Sequence, residues 1–393
     1  MAVALVNARV LLADAITTGH AVLVEGSRIV DIVADDAVPA RAETRDLRGA
    51  LLAPGFIDCQ VNGGGGVLFN DAPTAATITR IGAAHARFGT TGFLPTLISD
   101  DAQVMRHAIA AVAEAIAAGV AGVLGIHLEG PWLAPDRRGI HDAAKFVSPQ
   151  RDDIDLASSL RGGTTLITLA PECAGAGAIG ELSRRGVIVA AGHTAADYTT
   201  MRAALAAGVR GFTHLFNAMT PLQSREPGVV GAALEDAQSW CGLIVDGFHV
   251  HPAALRIALA AKPRGKLFLV SDAMPPVGAA TDRFELNGET ITCRDGRCVN
   301  ANGTLAGSAL DMAAAVRNTI DQAGVNEAEA LRMASEYPAD FLGLGATHGR
   351  IAPGCAADFV VLDDALRVRE TWIGGECVFG SAKSGHESKG QGQ

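Results

Sequence analysis

The chain has 393 residues, of which 49% are apolar and 19% are charged, and its formal net charge is −10. This composition is typical of a soluble globular protein that is long enough for one large domain or two. The acidic excess argues against general binding to nucleic acids or to anionic membranes. Any anionic ligand would need a local cluster of positive charge.

The seven cysteines are scattered along the chain, and their odd number favours reduced thiols in the cytoplasm. Cys293 and Cys298 flank a predicted hairpin turn at Asp295-Gly296, and we expect both to be unpaired. Neither a secretory signal nor a membrane-spanning run of roughly 18 apolar residues is evident in the sequence. We therefore predict a cytoplasmic protein.

Short strand-like runs fill residues 1–50, and the texture changes at Leu51. From there, apolar runs alternate with alanine-rich segments of helical periodicity, which is typical of repeated βα units. The predicted barrel strands, as many as a closed (β/α)8 barrel requires, are 51–58, 91–98, 122–128, 164–170, 187–192, 210–215, 241–246 and 266–271. Helices are predicted near 74–88, 100–118, 150–160, 176–185, 196–207, 252–261, 308–323 and 327–342.

Segment 275–306 is too long for a simple βα loop and is predicted to be an inserted hairpin. Strand-like runs return at 358–362 and 367–373, and we expect them to pair with the N-terminal strands. The sequence thus predicts an α/β protein with a TIM-like barrel and a small β domain formed from both chain termini. The predicted boundaries are 1–50 and 350–380 for the small β domain, 51–349 for the barrel and 381–393 for a disordered tail.

Polar residues follow four of the predicted barrel strands, namely Glu129, His193, His214 and Asp272. Because the carboxyl ends of barrel strands meet at one rim, we expect these side chains to lie close together. Two histidines and a carboxylate form a zinc site that leaves a position open for water, and an aspartate beside it suits a general base. Each residue taken alone could instead be a helix cap or a buried polar group, and Asp272 could orient a ligand histidine.

The first barrel strand ends in Gln60 and Asn62, where many metal-dependent barrel hydrolases carry two histidines. Neutral amides are poor ligands for zinc-like ions, so we do not expect a second metal. Arg225 lies in a Gly/Pro-containing loop, where it could bind phosphate or be solvated, and the residues alone leave both interpretations open. The pair Arg137-Arg138 is interpreted as exposed.

Motifs along nearly the whole chain resemble the N-acetylglucosamine-6-phosphate deacetylases of the amidohydrolase superfamily. They are PGFIDCQVNG at 54–63, HLEGPWL at 127–133, GHT at 192–194, THLFNAM at 213–219, DGFH at 246–249, SDA at 271–273 and LAG at 305–307. HLEGPWL and THLFNAM are specific to this family rather than to the superfamily at large.

The resemblance implies a (β/α)8 barrel beside a small β-sandwich made from both chain termini. It also implies a homodimeric hydrolase that removes acetate from N-acetylglucosamine 6-phosphate. It implies one divalent ion per subunit, zinc first and iron, manganese or cobalt as alternatives, with Glu129, His193 and His214 as ligands. Asp272 would then transfer the proton, and His141 would help to polarise the amide carbonyl. Substrate contacts are implied for Ile140, Asn217, Ala218, Arg225, His249, Leu305, Ala306 and Gly307. Family members with Gln and Asn on the first strand hold one metal, so Gln60 and Asn62 mark a vacant second position or support the first.

Three alternatives stay open at this point. The galactosamine epimer would undergo the same chemistry, and the sequence does not separate the two sugars. A cyclic-amide hydrolase normally needs a pair of histidines at the positions of Gln60 and Asn62, which argues against it. A catalytically inactive scaffold is disfavoured by the intact polar residues at the strand ends. Neither a nucleic acid nor a membrane is expected as a partner.

Overall fold

A computed structural model describes residues 2–13 and 15–380, so the predicted tail at 381–393 lies outside the described residues. The strands are β1 Val3–Val6, β2 Arg9–Leu11, β3 Ile16–Thr17, β4 His20–Glu25, β5 Arg28–Ala34, β6 Glu43–Asp46, β7 Leu51–Pro54, β8 Phe56–Val61, β9 Gly63–Gly64, β10 Val67–Leu68, β11 Thr90–Ile98, β12 Gly125–Glu129, β13 Thr164–Leu169, β14 Ile188–Ala191, β15 Val209–Phe212, β16 Trp240–Leu243, β17 Leu267–Leu269, β18 Arg283–Leu286, β19 Glu289–Arg294, β20 Arg297–Val299, β21 Leu305–Ser308, β22 Phe359–Leu362, β23 Val368–Ile373 and β24 Glu376–Phe379. The α-helices are α1 Ala75–Ala86, α2 Ala102–Ala117, α3 Arg151–Ala157, α4 Pro171–Arg184, α5 Tyr198–Ala207, α6 Gly228–Glu235, α7 Pro252–Ala261, α8 Met312–Asn318, α9 Glu327–Ala334 and α10 Glu336–Phe341. Short 3-10 helices cover Asp35–Ala37, Pro135–Arg137 and Ala143–Lys145, and a π-helical turn covers Thr319–Ala323.

Eight parallel strands form the barrel in the order β8, β11, β12, β13, β14, β15, β16 and β17. The last strand returns to the first, because Asp272 N donates to Gln60 O at 3.0 Å and Asn62 N donates to Ala273 O at 3.0 Å. The main hydrophobic core lies between this barrel and the helices around it. The predicted (β/α)8 barrel is therefore confirmed, and each of the eight predicted runs overlaps one of its strands.

The predicted run 51–58 bends between two sheets. Its first part, Leu51–Pro54, pairs antiparallel with Phe359–Leu362, and only Phe56–Val61 enters the barrel. The bend falls at Gly55, where a Cβ atom would lie 2.1 Å from the Thr91 side chain. Only glycine fits this close approach, so the apolar run continues through a change of direction that its hydrophobicity does not reveal.

Strands from both chain termini form a β-sandwich. One sheet has the order β5-β4-β1-β6, and the other has the order β24-β23-β22-β7-β2-β3. Buried residues from the two sheets share one core, including Leu5, Val22, Ile29, Leu52 and Phe359. The predicted sandwich of the two termini is confirmed by this pairing, which buries apolar side chains between two sheets.

The inserted segment holds more strands than the predicted hairpin. Strands β18, β19, β20 and β21 form an antiparallel sheet in sequence order. Cys293 and Cys298 are register partners across its central turn and form a disulfide, so the expectation of two unpaired thiols is wrong. The turn places the two residues directly opposite each other, and a spacing of five residues does not by itself show this register.

Helix α6 was not predicted from the sequence. All residues from Gly228 to Leu234 are buried, so the segment lacks the alternation of apolar and polar faces that marks a surface helix. Among the described residues, no helix is both long and apolar enough to cross a membrane.

A buried carboxylate lies at the seam of the barrel. The Asp58 side chain accepts hydrogen bonds from Ser271 N at 3.1 Å, Gln60 N at 3.2 Å and the Ser271 hydroxyl. Burial raises the pKa of Asp58 from its ordinary value of 3.8 to about 6, although these hydrogen bonds lower it. The folded protein therefore holds this proton more tightly than the unfolded chain does.

This difference gives a pH dependence with a defined sign. The stabilisation from the bound proton is complete below the unfolded pKa and is lost as the pH rises through about 6, an effect of about 3 kcal/mol for two pKa units. Asp58→Asn carries no titrating proton. We expect the wild type to lose stability relative to Asp58→Asn between pH 4.5 and 7.5 on denaturant unfolding. If the difference in free energy of unfolding between the two proteins stays constant across this pH range, Asp58 does not have a raised pKa in the folded state.

Candidate metal centre

Four polar residues lie just where barrel strands end, at one rim. Glu129 is the last residue of β12, whereas His193, His214 and Asp272 follow β14, β15 and β17 within three residues. The last three adopt left-handed backbone conformations, with φ of 47°, 32° and 53°. Such conformations cost energy for residues other than glycine, and they concentrate at functional sites.

The Glu129, His193 and His214 side chains form a buried cluster whose ligand atoms lie within 4.8 Å of one another. His214 Nε2 is 3.1 Å from Glu129 Oε1 and 3.1 Å from His193 Nε2, and His193 Nε2 is 3.4 Å from the same carboxylate oxygen. Ligands of a tetrahedral zinc ion with bonds of about 2.0–2.1 Å lie roughly 3.3 Å apart. The three atoms therefore fit one face of a tetrahedral divalent-metal site.

Hydrogen bonds orient the cluster. His193 Nδ1 lies 2.8 Å from Arg137 O, and because a carbonyl only accepts, this contact leaves the Nε2 lone pair free for an ion. Although burial acts to raise it, the adjacent His193 and His214 imidazoles hold the pKa of Glu129 well below its ordinary value. The carboxylate is ionised at neutral pH, as a metal ligand must be.

Gln60 bridges the cluster to Asp272, and Asn62 also donates to Asp272. Gln60 Nε2 donates to Glu129 Oε1 at 2.9 Å and to Asp272 Oδ1 at 3.1 Å, and Asn62 Nδ2 donates to the same Asp272 oxygen at 2.6 Å. Burial and then the negative charge of Glu129 raise the pKa of Asp272 to about 7. The Gln60 amide thus holds the two carboxylates together, and both amide nitrogens act as hydrogen-bond donors rather than metal ligands.

His141 lies against the cluster. Its ring centroid is 4.4 Å from that of His193, and its Nε2 is 3.7 Å from Glu129 Oε2. Burial and then the charge of His193 lower the pKa of His141 to about 3, so its imidazole is neutral at pH 7. His141 Nδ1 lies 2.9 Å from the Ser99 hydroxyl, which also donates to Glu129 O at 3.1 Å. Nε2 of the neutral ring carries the hydrogen only when that hydroxyl donates to Nδ1 instead.

The cluster opens into a cavity of about 460 Å³. Of the predicted substrate residues, those that line it are Ile140, Asn217, Ala218, His249, Leu305 and Gly307. Ala306 is instead buried in the small core of the inserted sheet. Arg225 is exposed on its loop and does not line the cavity within one chain. Neither residue lines the cavity of the single chain, and their role as substrate contacts stays a prediction.

Two arginines line the cavity although the sequence did not single them out as site residues, namely Arg137 and Arg297. Arg137 lies in the 3-10 helix over His193, and its buried Nε has no hydrogen-bond partner among the described residues. Its interpretation as merely exposed is wrong. Arg297 belongs to the inserted sheet. Only the fold brings that sheet to the rim, so no local pattern could have identified Arg297.

His249 lines the same cavity, and a hydrogen bond to Asp246 holds its ring in place. Its Nδ1 lies 2.7 Å from Asp246 Oδ2, and because a carboxylate only accepts, Nδ1 is the donor. Although burial opposes it, this hydrogen bond lowers the pKa of Asp246. The two side chains form a buried pair, and the second ring nitrogen of His249 is left for a ligand.

Known families and proteins match this chain over most of its length. Residues 51–378 match the model of the amidohydrolase family, and residues 3–52 match that of the NagA composite domain. The N-acetylgalactosamine-6-phosphate deacetylase of Shewanella sp. (strain ANA-3) is 44% identical over 335 residues, which cover 85% of this chain and 84% of that protein.

Solved structures show the same likeness in three dimensions. The N-acetylglucosamine-6-phosphate deacetylase of Pasteurella multocida has a TM-score of 0.93 and 35% identity, covering 96% of this chain and 99% of that one. A mutant N-acetyl-D-glucosamine-6-phosphate deacetylase from Mycobacterium smegmatis, solved in complex with N-acetyl-D-glucosamine-6-phosphate, has a TM-score of 0.88 and 34% identity, covering 96% and 99%.

The geometry predicts one tightly bound divalent ion per chain. Titration of chelator-treated protein with zinc should saturate at one equivalent by elemental analysis. His193→Ala removes a ligand and should lose this ion, a loss of affinity of at least about 10-fold. His249→Asn is the matched control, because His249 lies in the same cavity outside the cluster, and it should retain one equivalent. Two tight ions per wild-type chain would refute the prediction.

Proposed function

We propose that this chain, which belongs to the amidohydrolase family, hydrolyses the acetamide of N-acetyl-D-glucosamine 6-phosphate to D-glucosamine 6-phosphate and acetate. The observation that carries the proposal is the buried group of Glu129, His193 and His214 beside Asp272 at the barrel rim. The similarity to named deacetylases over most of the chain supports the substrate class.

A divalent ion at the cluster would polarise the amide carbonyl and lower the pKa of the attacking water. We propose zinc, because two histidines and one carboxylate form its usual hydrolytic set. Asp272 accepts a proton from that water as it attacks the carbonyl carbon. Asp272 then donates the proton to the sugar nitrogen when the C–N bond breaks, so that acetate and the free amine leave.

His141 contributes an uncharged hydrogen-bond donor. Its low pKa keeps the ring neutral, and in the tautomer with hydrogen on Nε2 it donates to the carbonyl oxygen as negative charge develops there. This tautomer requires the Ser99 hydroxyl to donate to His141 Nδ1 rather than to Glu129 O, which lies 3.1 Å from the same hydroxyl. The assignment explains why a buried histidine lies beside Glu129 without joining the ligand cluster.

The galactosamine epimer is the second candidate substrate. It is favoured by one specific observation, the 44% identity to an N-acetylgalactosamine-6-phosphate deacetylase. Both sugars carry the same acetamide and phosphate and differ at one hydroxyl. The residues that hold the acetamide therefore do not separate them.

We also propose that the working unit is a homodimer in which Arg225 enters the partner's cavity. Arg225 makes no ion pair within the part of the chain that the structure describes, and Leu222 on the same loop is 55% exposed. The loop is shaped by Glu226, whose carboxylate accepts from Tyr198 N and Gly228 N. An exposed apolar residue beside an unpaired guanidinium suits an interface that presents the arginine to a phosphate.

Acetate release tests the reaction. We expect wild-type enzyme to release acetate from N-acetylglucosamine 6-phosphate, with its galactosamine epimer assayed in parallel, and to lose activity with chelator. Asp272→Asn keeps the shape but not the base, so kcat should fall on the order of 10²–10⁴ with the ion still bound. Asp136→Asn, a carboxylate that lines the cavity apart from the cluster, is the control. Release from neither sugar phosphate would reject the proposed function.

Mixed dimers test the role of Arg225. Arg225→Ala should lower kcat/KM for the phosphorylated sugar roughly 10- to 150-fold, as for loss of a charge-assisted contact. The Arg225→Ala and Asp272→Asn variants are then mixed so that their subunits exchange. If Arg225 acts across the interface, each mixed dimer has one intact site. About a quarter of the wild-type activity should return, because half of the dimers are mixed. Activity no higher than the sum of the two mutants would place Arg225 in its own site or outside catalysis.

A further inference from the structure

We infer that Arg297, assisted by Arg294, forms a phosphate-binding position contributed by the inserted sheet of the same chain. The inference rests on the proposed sugar-phosphate substrate. It adds to the contacts implied by family resemblance, none of which lies on strands β19 and β20.

The two arginines form a like-charged pair. Arg294 and Arg297 are register partners across the β19–β20 turn, so their side chains project from the same face of the ribbon. Like charges directly opposite each other are destabilising. Neither arginine has an ion-pair partner among the residues that the structure describes, which leaves an exposed focus of positive charge in a chain of net charge −10.

Of the two arginines, Arg297 lines the cavity. It does so together with Thr304 and Leu305 of the same inserted segment. The turn beside Arg297 touches the loop that carries His249, because a Cβ atom on Gly296 would lie 3.7 Å from the Phe248 ring. Arg297 and His249 therefore flank the same end of the cavity.

Substrate chemistry selects this end for the phosphate. In a pyranose, C2 with its acetamide lies opposite C5, which carries the phosphorylated C6. Once the acetamide is at the metal cluster, the phosphate points away from it. Arg137 is the other cavity-lining arginine. Its carbonyl oxygen accepts from His193 Nδ1, so the Arg137 backbone lies beside the cluster. Arg297 is the own-chain guanidinium best placed for the distal phosphate.

A disulfide and apolar packing hold the β19–β20 hairpin in place. The disulfide joins Cys293 to Cys298, the register pair next to Arg294 and Arg297. Both cysteines belong to a small hydrophobic core that also contains Leu286, Ile291 and Met274. A guanidinium on a fixed strand loses less conformational freedom on binding an anion than one on a flexible loop.

Kinetics with two substrates test the inference. Arg297→Ala should lower kcat/KM for N-acetylglucosamine 6-phosphate roughly 10- to 150-fold and leave that for unphosphorylated N-acetylglucosamine nearly unchanged. Arg297→Lys keeps the charge and should recover part of the loss. Arg283→Ala is the matched control on the same sheet, because Arg283 pairs with Asp282 outside the cavity. An equal fall on both substrates, or no fall on either, would overturn the inference.

Direct binding separates this inference from the proposed function. Inorganic phosphate should bind the metal-loaded wild type more tightly than Arg297→Ala by calorimetry, by a similar factor, and more weakly as the salt concentration rises. This measurement needs no turnover, so it applies even if wild-type enzyme releases acetate from neither sugar phosphate. Equal phosphate affinity in wild type and Arg297→Ala would reject the position, whatever the enzyme hydrolyses.

Discussion

The closure of the barrel between its first and last strands is the constraint on which the site depends. At this seam Asp58 accepts from Ser271, and Gln60 O accepts from Asp272 N. The same register brings the Gln60 amide between the carboxylates of Asp272 and Glu129. Without this amide donor, the buried carboxylates of Asp272 and Glu129 would repel each other strongly, because the dielectric constant of a protein interior is low. Closing the barrel and assembling the reaction centre are therefore one structural event, and the first strand contributes donors rather than metal ligands.

Electrostatics then divide the cavity into two ends. The inner end holds the buried ligand cluster, where burial keeps His141 neutral and the neighbouring His193 and His214 keep Glu129 ionised. The outer end holds His249 and Arg297, which reach the rim from different segments. A chain with a net charge of −10 repels a dianion at long range. We propose that the Arg297 guanidinium of the inserted sheet offsets this repulsion locally at the outer end.

Backbone conformation marks the same residues independently of their chemistry. His193, His214 and Asp272 all have positive φ, which places each side chain at the rim immediately after its strand. Gly307 also has positive φ, and a Cβ atom there would lie 2.8 Å from Asp272 O. The inserted sheet thus contacts the loop of the proposed base directly. An insertion in this position completes one wall of the site and is part of the reaction centre rather than a peripheral decoration.

The sequence alone determined the eight barrel strands, the pairing of the two termini and the residues at the strand ends, because hydrophobic runs and their polar ends are local signals. It did not determine the bend at Gly55, the fully buried helix α6 or the pairing of Cys293 with Cys298. These depend on a close approach, on burial from all sides and on a strand register. Nor did it identify Arg297 as a cavity residue or show that Arg225 lies outside the cavity of its own chain. Only tertiary structure decides which loops meet at a rim, since residues far apart in sequence become neighbours there through the closure of the barrel.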